Sequence, residues 1–296
     1  MVVIDQNTSL IERTFRENGY ITDQPILTAM HLVQSLQKPL LVEGPAGVGK
    51  TEIAKVLAKS LNTKLIRLQC YEGLDVNNAL YEWNYAKQML HIRLTENSEA
   101  TLAEREADIF SKQFLLTRPI LEAFMEEEAP SVLLIDEVDR ADEAFEAFLL
   151  EALAEFQITI PELGTIKAKH RPYVILTSNR TRELSDALRR RCLYQWVSYP
   201  DFKKETEILQ ARLPDIDKNL AEQIAKVMET IRQMPLQKIP GVAESLDWAQ
   251  ALISMHRSEL NQETVQETLG CFLKNRDDWE TVDKELKQGT LLTSNA

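Results

Sequence analysis

Eight consecutive residues, Gly44-Pro45-Ala46-Gly47-Val48-Gly49-Lys50-Thr51, carry the sharpest chemical signal in this chain. They fit G-x-x-x-x-G-K-[ST] at every fixed position. Glycines at these places let successive backbone N–H groups curl around phosphate oxygens. A helix beginning near Thr51 adds the positive end of its dipole. The Lys50 ammonium can reach β and γ phosphates, and the Thr51 hydroxyl can ligate Mg²⁺. The bland alternative is a tight turn with no ligand. Context argues against it: Leu40-Leu41-Val42 before the loop reads as a strand, and an amphipathic helix follows it.

Two further groups suit the same chemistry. Val132-Leu133-Leu134-Ile135 reads as a strand buried on both faces and ends in Asp136-Glu137. Acids at the end of a parallel strand sit where ligands of such sheets collect. Asp136 is placed to hold Mg²⁺ through its water shell, and Glu137 to orient and deprotonate a water. Alone, an apolar run capped by acids is a weak signal; the phosphate loop upstream strengthens it. A third strand, Tyr173–Thr177, leads into Ser178-Asn179, whose amide suits contact with a γ-phosphate or the attacking water. Ten residues beyond lies Arg189-Arg190-Arg191. It reads either as a solvated basic run or as an arginine finger stabilising charge on a transferring phosphoryl group. A finger working in trans requires a neighbouring subunit.

The elements that must position these residues follow from the hydropathy pattern. Apolar runs at 39–42, 64–68, 132–135, 173–177 and 193–197 alternate with helical patterns, the mark of a parallel sheet covered by helices. Ile53, Val56, Leu57 and Leu61 share one helical face; so do Phe145, Phe148, Leu149, Leu153 and Phe156, which read as core. Alternation in 157–168 around Pro161-Glu162-Leu163-Gly164 predicts a β-hairpin. The aromatics Tyr71, Trp83 and Tyr85 suit either core or a partner contact. Beyond Pro200 no strand is evident, and helices are predicted over 202–213, 219–233, 245–255, 262–273 and 277–286. The expected division is an α/β nucleotide-binding domain over 1–200 and a helical domain over 201–296.

Composition narrows the class. At 44% hydrophobic and 27% charged, the chain is ordinary for a globular protein. No apolar stretch approaches the roughly 20 residues of a membrane helix, and no signal peptide is evident, so a cytoplasmic protein is expected. Cys70, Cys192 and Cys271 are far apart and read as reduced thiols. With 46 acids against 34 bases, the net charge of −12 disfavours nucleic acid as a partner.

With these pieces in order, the chain resembles the AAA+ superfamily, and more closely the MoxR family in its CoxD-like branch. The residues that carry this are GPAGVGKT at Gly44–Thr51, LLIDEVDRA at Leu133–Ala141, ILTSN at Ile175–Asn179, LSDALRRRC at Leu184–Cys192, SYPD at Ser198–Asp201 and ESLDWAQAL at Glu244–Leu252. The resemblance implies a P-loop NTPase with a five-stranded parallel sheet sandwiched by helices, an all-helical lid, and a hexameric ring. It implies ATP with Mg²⁺ as cofactors, bound by Gly44 through Thr51 and the adjoining Glu52, with Thr51 and Asp136 on the metal. It implies chaperone-like remodelling of a client protein or metal-cofactor enzyme, together with a von Willebrand factor A domain partner. Arg191 best matches the family's finger, with Arg190 second. Tyr20 and Ile21 fall where such proteins contact adenine. The hairpin and the segment from Tyr71 to Tyr85 match the family's two insertions. One departure stands out: Gly241-Val242-Ala243-Glu244-Ser245 lacks the arginine many AAA+ lids carry there. A DNA-remodelling motor and an ATP-switched scaffold remain as alternative readings.

Overall fold

A computed structural model describes residues 2–96, 101–289 and 291, without the side chains of 2–8, 102 and 103. Met1 and residues 292–296, the ends of the two expected domains, lie outside the described residues, as do 97–100 and 290. Backbone contacts gather the chain into two compact units. One comprises Thr28–Glu43 and Leu57–Gln195, the other Met1–Leu27, Gly44–Val56 and Trp196–Ala296.

The described strands are β1 (Leu40–Glu43), β2 (Leu65–Gln69), β3 (Tyr81–Trp83), β4 (Leu115–Thr117), β5 (Val132–Asp136), β6 (Gln157–Ile160), β7 (Gly164–Lys167), β8 (Tyr173–Ser178) and β9 (Leu193–Trp196). Five of them form one parallel sheet in the order β2-β5-β8-β1-β9. Its register pairs Leu41 with Leu176, Leu134 with Ile175 and Ile66 with Leu133. Parallel neighbours need crossovers, which the intervening helices supply. They include Lys50–Ser60 after β1 and Glu143–Glu155 between β5 and β8. β1 and β5 are buried at every position, as expected of central strands, which read as unbroken apolar runs. Because the strands run the same way, the ends of β1, β5 and β8 share one edge of the sheet. There Glu43 pairs with Ser178, and Gln69 with Asp136.

The core of this unit joins the sheet to the helix Glu143–Glu155. Phe145, Leu149, Leu153 and Phe156 are buried and Phe148 packs against them, so the stripe expected to be core is core. The predicted hairpin is β6 with β7, Ile158 facing Ile166, and Gly164 takes φ 77° at its turn. β3 and β4 make a second antiparallel pair that periodicity did not reveal. The three aromatics divide: Trp83 is buried against Phe110, whereas Tyr71 and Tyr85 are exposed.

The second unit contains five C-terminal helices, Phe202–Arg212, Lys218–Arg232, Val242–Ser254, Gln262–Phe272 and Arg276–Lys287. Asp201, Asp217, Asn261 and Asn275 cap four of them, each accepting from a backbone N–H in the first turn. Their core centres on Trp248, 4.5 Å from the Phe272 ring and donating from Nε1 to Thr268. No helix among the described residues is long and apolar enough to cross a membrane.

Candidate active site

The phosphate loop leaves the end of β1 and closes into the helix Lys50–Ser60. Two of its glycines are demanded by geometry. A Cβ on Gly44 would stand 2.1 Å from the Val197 carbonyl oxygen, and Gly47 takes φ 76°. Lys50 is buried, and its Nζ donates to the carbonyls of Gly44 at 2.8 Å and Pro45 at 2.5 Å. Two backbone carbonyls thus hold the ammonium at the start of the loop. Glu52, one residue past Thr51, accepts from Lys55 and from Arg212. Burial pushes its carboxyl up, but those two cations outweigh burial and hold it below its ordinary value. Tyr20 stacks edge-on against Phe15 and lies 3.9 Å from where a Cβ on Gly49 would stand; Ile21 is buried. The loop and the segment expected beside adenine therefore meet within one unit.

The other unit holds the acids. Asp136 and Glu137 close β5, and the Thr177 hydroxyl near the end of β8 joins them. It donates to Asp136 Oδ1 at 2.5 Å and accepts from the Glu137 N–H at 2.9 Å. Glu137 itself sits in the left-handed region, φ 54° and ψ 49°, and its Oε2 accepts from Arg140. The outer oxygen of Asp136 accepts from Arg67 of β2 at 2.6 Å, and Arg67 also donates to Gln69. Asp139, almost wholly buried, accepts from the backbone N–H groups of Asn179 and Thr181 and from the Thr181 hydroxyl. Asn179 is thereby fixed to the turn that follows the two acids.

Replacing Thr177 by valine keeps the shape but removes a donor to the Asp136 carboxylate and the acceptor of the Glu137 N–H. A stability loss of about 1–3 kcal/mol is expected, with serine recovering most of it. Urea unfolding of the two variants measures this.

The arginines stand on the short helix Asp186–Arg191. Ser185 caps it, the Ser185 N–H donates to buried Glu146, and Arg182 pairs with the same carboxylate. All three arginines of the run are exposed, and Arg191 donates to the Leu150 carbonyl. Burial pushes the Cys70 thiol up to about 12, the neighbouring acids adding to the effect, and burial alone does the same at Cys192. Protonated thiols make poor nucleophiles and ligands. Among the described residues no group of three or more His, Cys, Asp or Glu could hold a metal on its own. Thr51 and Asp136 each carry the kind of oxygen donor that Mg²⁺ takes.

Thr177, Asp139 and Arg67 escaped the sequence reading. Only Asp139 had a signal, as the third acid of Asp136-Glu137-Val138-Asp139.

Residues 40–197, more than half of the chain, match the family described as "ATPase family associated with various cellular activities (AAA)". An uncharacterised protein of Staphylococcus haemolyticus (strain JCSC1435) is 26% identical over 229 residues, covering 75% of this chain and 79% of that protein. Another, from Staphylococcus aureus (strain bovine RF122 / ET3-1), is 26% identical over 223 residues, covering 73% and 76%. Among solved structures, a point mutant of Thermotoga maritima RuvB superposes with a TM-score of 0.50 at 20% identity, covering 86% of this chain and 70% of that one. Identity so low speaks to fold alone.

Proposed function

The chain belongs to the AAA family of ATPases and has the AAA+ P-loop fold, and from that premise we propose that it hydrolyses ATP as a remodelling motor of the MoxR type, in the CoxD-like branch. In this reading ATP enters with Mg²⁺. Backbone N–H groups of Gly44–Thr51 hold its phosphates and Lys50 neutralises the β and γ oxygens; Thr51 and Asp136 would hold the metal, which would supply Lewis-acid polarisation of the γ-phosphoryl group. Glu137 takes the proton of the attacking water, and Asn179 orients that water. Residues 1–200 act as the nucleotide-binding domain and 201–296 as the lid. The observation that supports this most is the Thr177 hydroxyl bonded to both the Asp136 carboxylate and the Glu137 amide. Such a bridge gives the metal acid and the water acid one fixed spacing, which hydrolysis of a positioned phosphate requires.

The exposed arginines Arg190 and Arg191 serve a neighbouring copy in a ring, a head-to-tail interface that closes. The ring acts in the cytoplasm on a client protein, with a von Willebrand factor A domain protein as go-between. The net charge of −12 speaks against DNA as the substrate, and added DNA leaves the rate unchanged.

Mixing tests the trans arrangement. Chains with Arg190→Ala or Arg191→Ala, and chains with Glu137→Gln, are each slow alone. In a random 1:1 ring, about a quarter of sites pair an intact Glu137 with an intact neighbouring arginine, so mixing restores about a quarter of the wild-type rate. The arginine whose variant is rescued is the finger. No recovery with either variant would sink the trans assignment.

A further inference from the structure

The lid helix Val242–Ser254 begins against the phosphate loop. Gly241, just before it, and Gly47 meet backbone to backbone. A Cβ on Gly241 would stand 2.7 Å from Gly47 Cα and 2.8 Å from its carbonyl carbon and oxygen. A Cβ on Gly47 would stand 3.1 Å from both Gly241 Cα and Glu244 Oε2. At this contact the Val242 N–H donates to the Gly47 carbonyl at 2.8 Å.

A buried polar cluster holds the helix start in place. Glu205 and Arg232 form an ion pair, both almost wholly buried. Arg232 also donates to the Pro240 carbonyl at 2.9 Å and to Ser245 at 3.1 Å, and its guanidinium lies 5.1 Å from the centre of the Tyr199 ring. Ser245 Oγ donates to Glu205 at 2.5 Å, and Glu244 accepts from the Gly241 N–H at 2.9 Å. Pro240, Gly241, Glu244 and Ser245 around Val242 are thus tied down.

The peptide unit supplies the consequence. In a trans amide the C=O and the following N–H point in opposite directions from one rigid plane, and no cis peptide bond occurs among the described residues. Fixing the Gly47 carbonyl therefore fixes the direction of the Val48 N–H, one of the loop donors that cradle α and β phosphates.

We propose that the Val242 amide is a positioning group for nucleotide binding: by holding the Gly47 carbonyl it pre-aims the Val48 N–H, so the lid takes part in gripping ATP and ADP through the loop's own backbone. The inference rests on nucleotide binding at the loop. It suits a helix start, Gly241–Ser245, that carries no arginine. A contact that acts on the loop, rather than on the γ-phosphate, treats ATP and ADP alike. By linkage, either nucleotide then strengthens the lid contact by the same factor.

Val242→Pro tests it. Proline is tolerated at a first helical position. Gly241, at φ −89° and ψ −170°, is extended, as the residue before a proline must be. The substitution removes the one N–H and leaves the helix. Calorimetric titration with ATP and with ADP in magnesium buffer is expected to show Kd raised about five-fold for both, the size of one net hydrogen bond. Val242→Ala trims the side chain, keeps the amide and restores affinity to within about two-fold of wild type. Melting of the two variants without nucleotide at nearly the same temperature excludes a general loss of structure. Should the proline chain fail to fold, Gly241→Ala, whose methyl must push Gly47 away, is expected to weaken both nucleotides in the same way. Unchanged affinity in these variants, or weakening for ATP alone, overturns the proposal while nucleotide binding stands. A wild-type chain that binds neither nucleotide overturns both.

Discussion

Glu137→Gln chains are expected to bind ATP as tightly as wild type and to hydrolyse it at least about a hundred-fold more slowly, the low end of what a positioned general base contributes. Glutamine keeps the volume and one acceptor oxygen but cannot take a proton. The main chain at 137 is held by the Thr177 hydroxyl through its N–H, which the substitution does not touch. The contact from Arg140 to the side chain is exposed and adds little. Binding and turnover therefore separate, and a single-turnover assay beside a titration reads both. Hydrolysis at the normal rate would remove Glu137 from the mechanism. The same variant, locked with ATP, should retain a client and a von Willebrand-type partner in a pull-down that wild type releases.

Lys50→Ala is expected to lower ATP affinity by on the order of a hundred-fold or more, since each hydrogen bond to a charged group contributes about 1.5–3 kcal/mol and the ammonium can make at least two to phosphates. The structure adds a second cause. Lys50 Nζ bonds the carbonyls of Gly44 and Pro45, so its loss also loosens the first turn of the loop. Lys50→Arg keeps the charge but not the compact shape, and a planar fork does not reproduce those two bonds. Equilibrium titration measures the loss, and tight binding by the alanine variant would refute the loop's role.

The legible parts of this molecule were those written in local pattern. The loop glycines, the apolar runs of β1, β5 and β8, and the helical stripe from Phe145 to Phe156 each follow from a rule that spans a few residues. The acids could be read because an apolar run stops at them: Asp136 is the last residue of β5 and Glu137 follows it. What escaped depends on neighbours distant in sequence. Thr177 looks like an ordinary strand residue until β8 lies beside β5 and its hydroxyl finds Asp136. Arg67 reads as the outward position of an alternating strand, and only the β2–β5 pairing brings it to the same carboxylate. Gly241 looks like a turn before a helix; that it must be glycine follows from Gly47 alone. β3 and β4, three residues each, are too short to show a period.

The backbone at Glu137 sets the needs of chemistry against those of durability. A side chain at φ 54° costs about 1 kcal/mol or more relative to glycine, which takes that angle freely. A library of this chain screened only for survival on heating would therefore be drawn to glycine or asparagine at position 137. Its winners would be sturdier proteins that had discarded the acid. Breeding a heat-resistant form that still works means leaving this one tense residue alone and seeking the gain elsewhere.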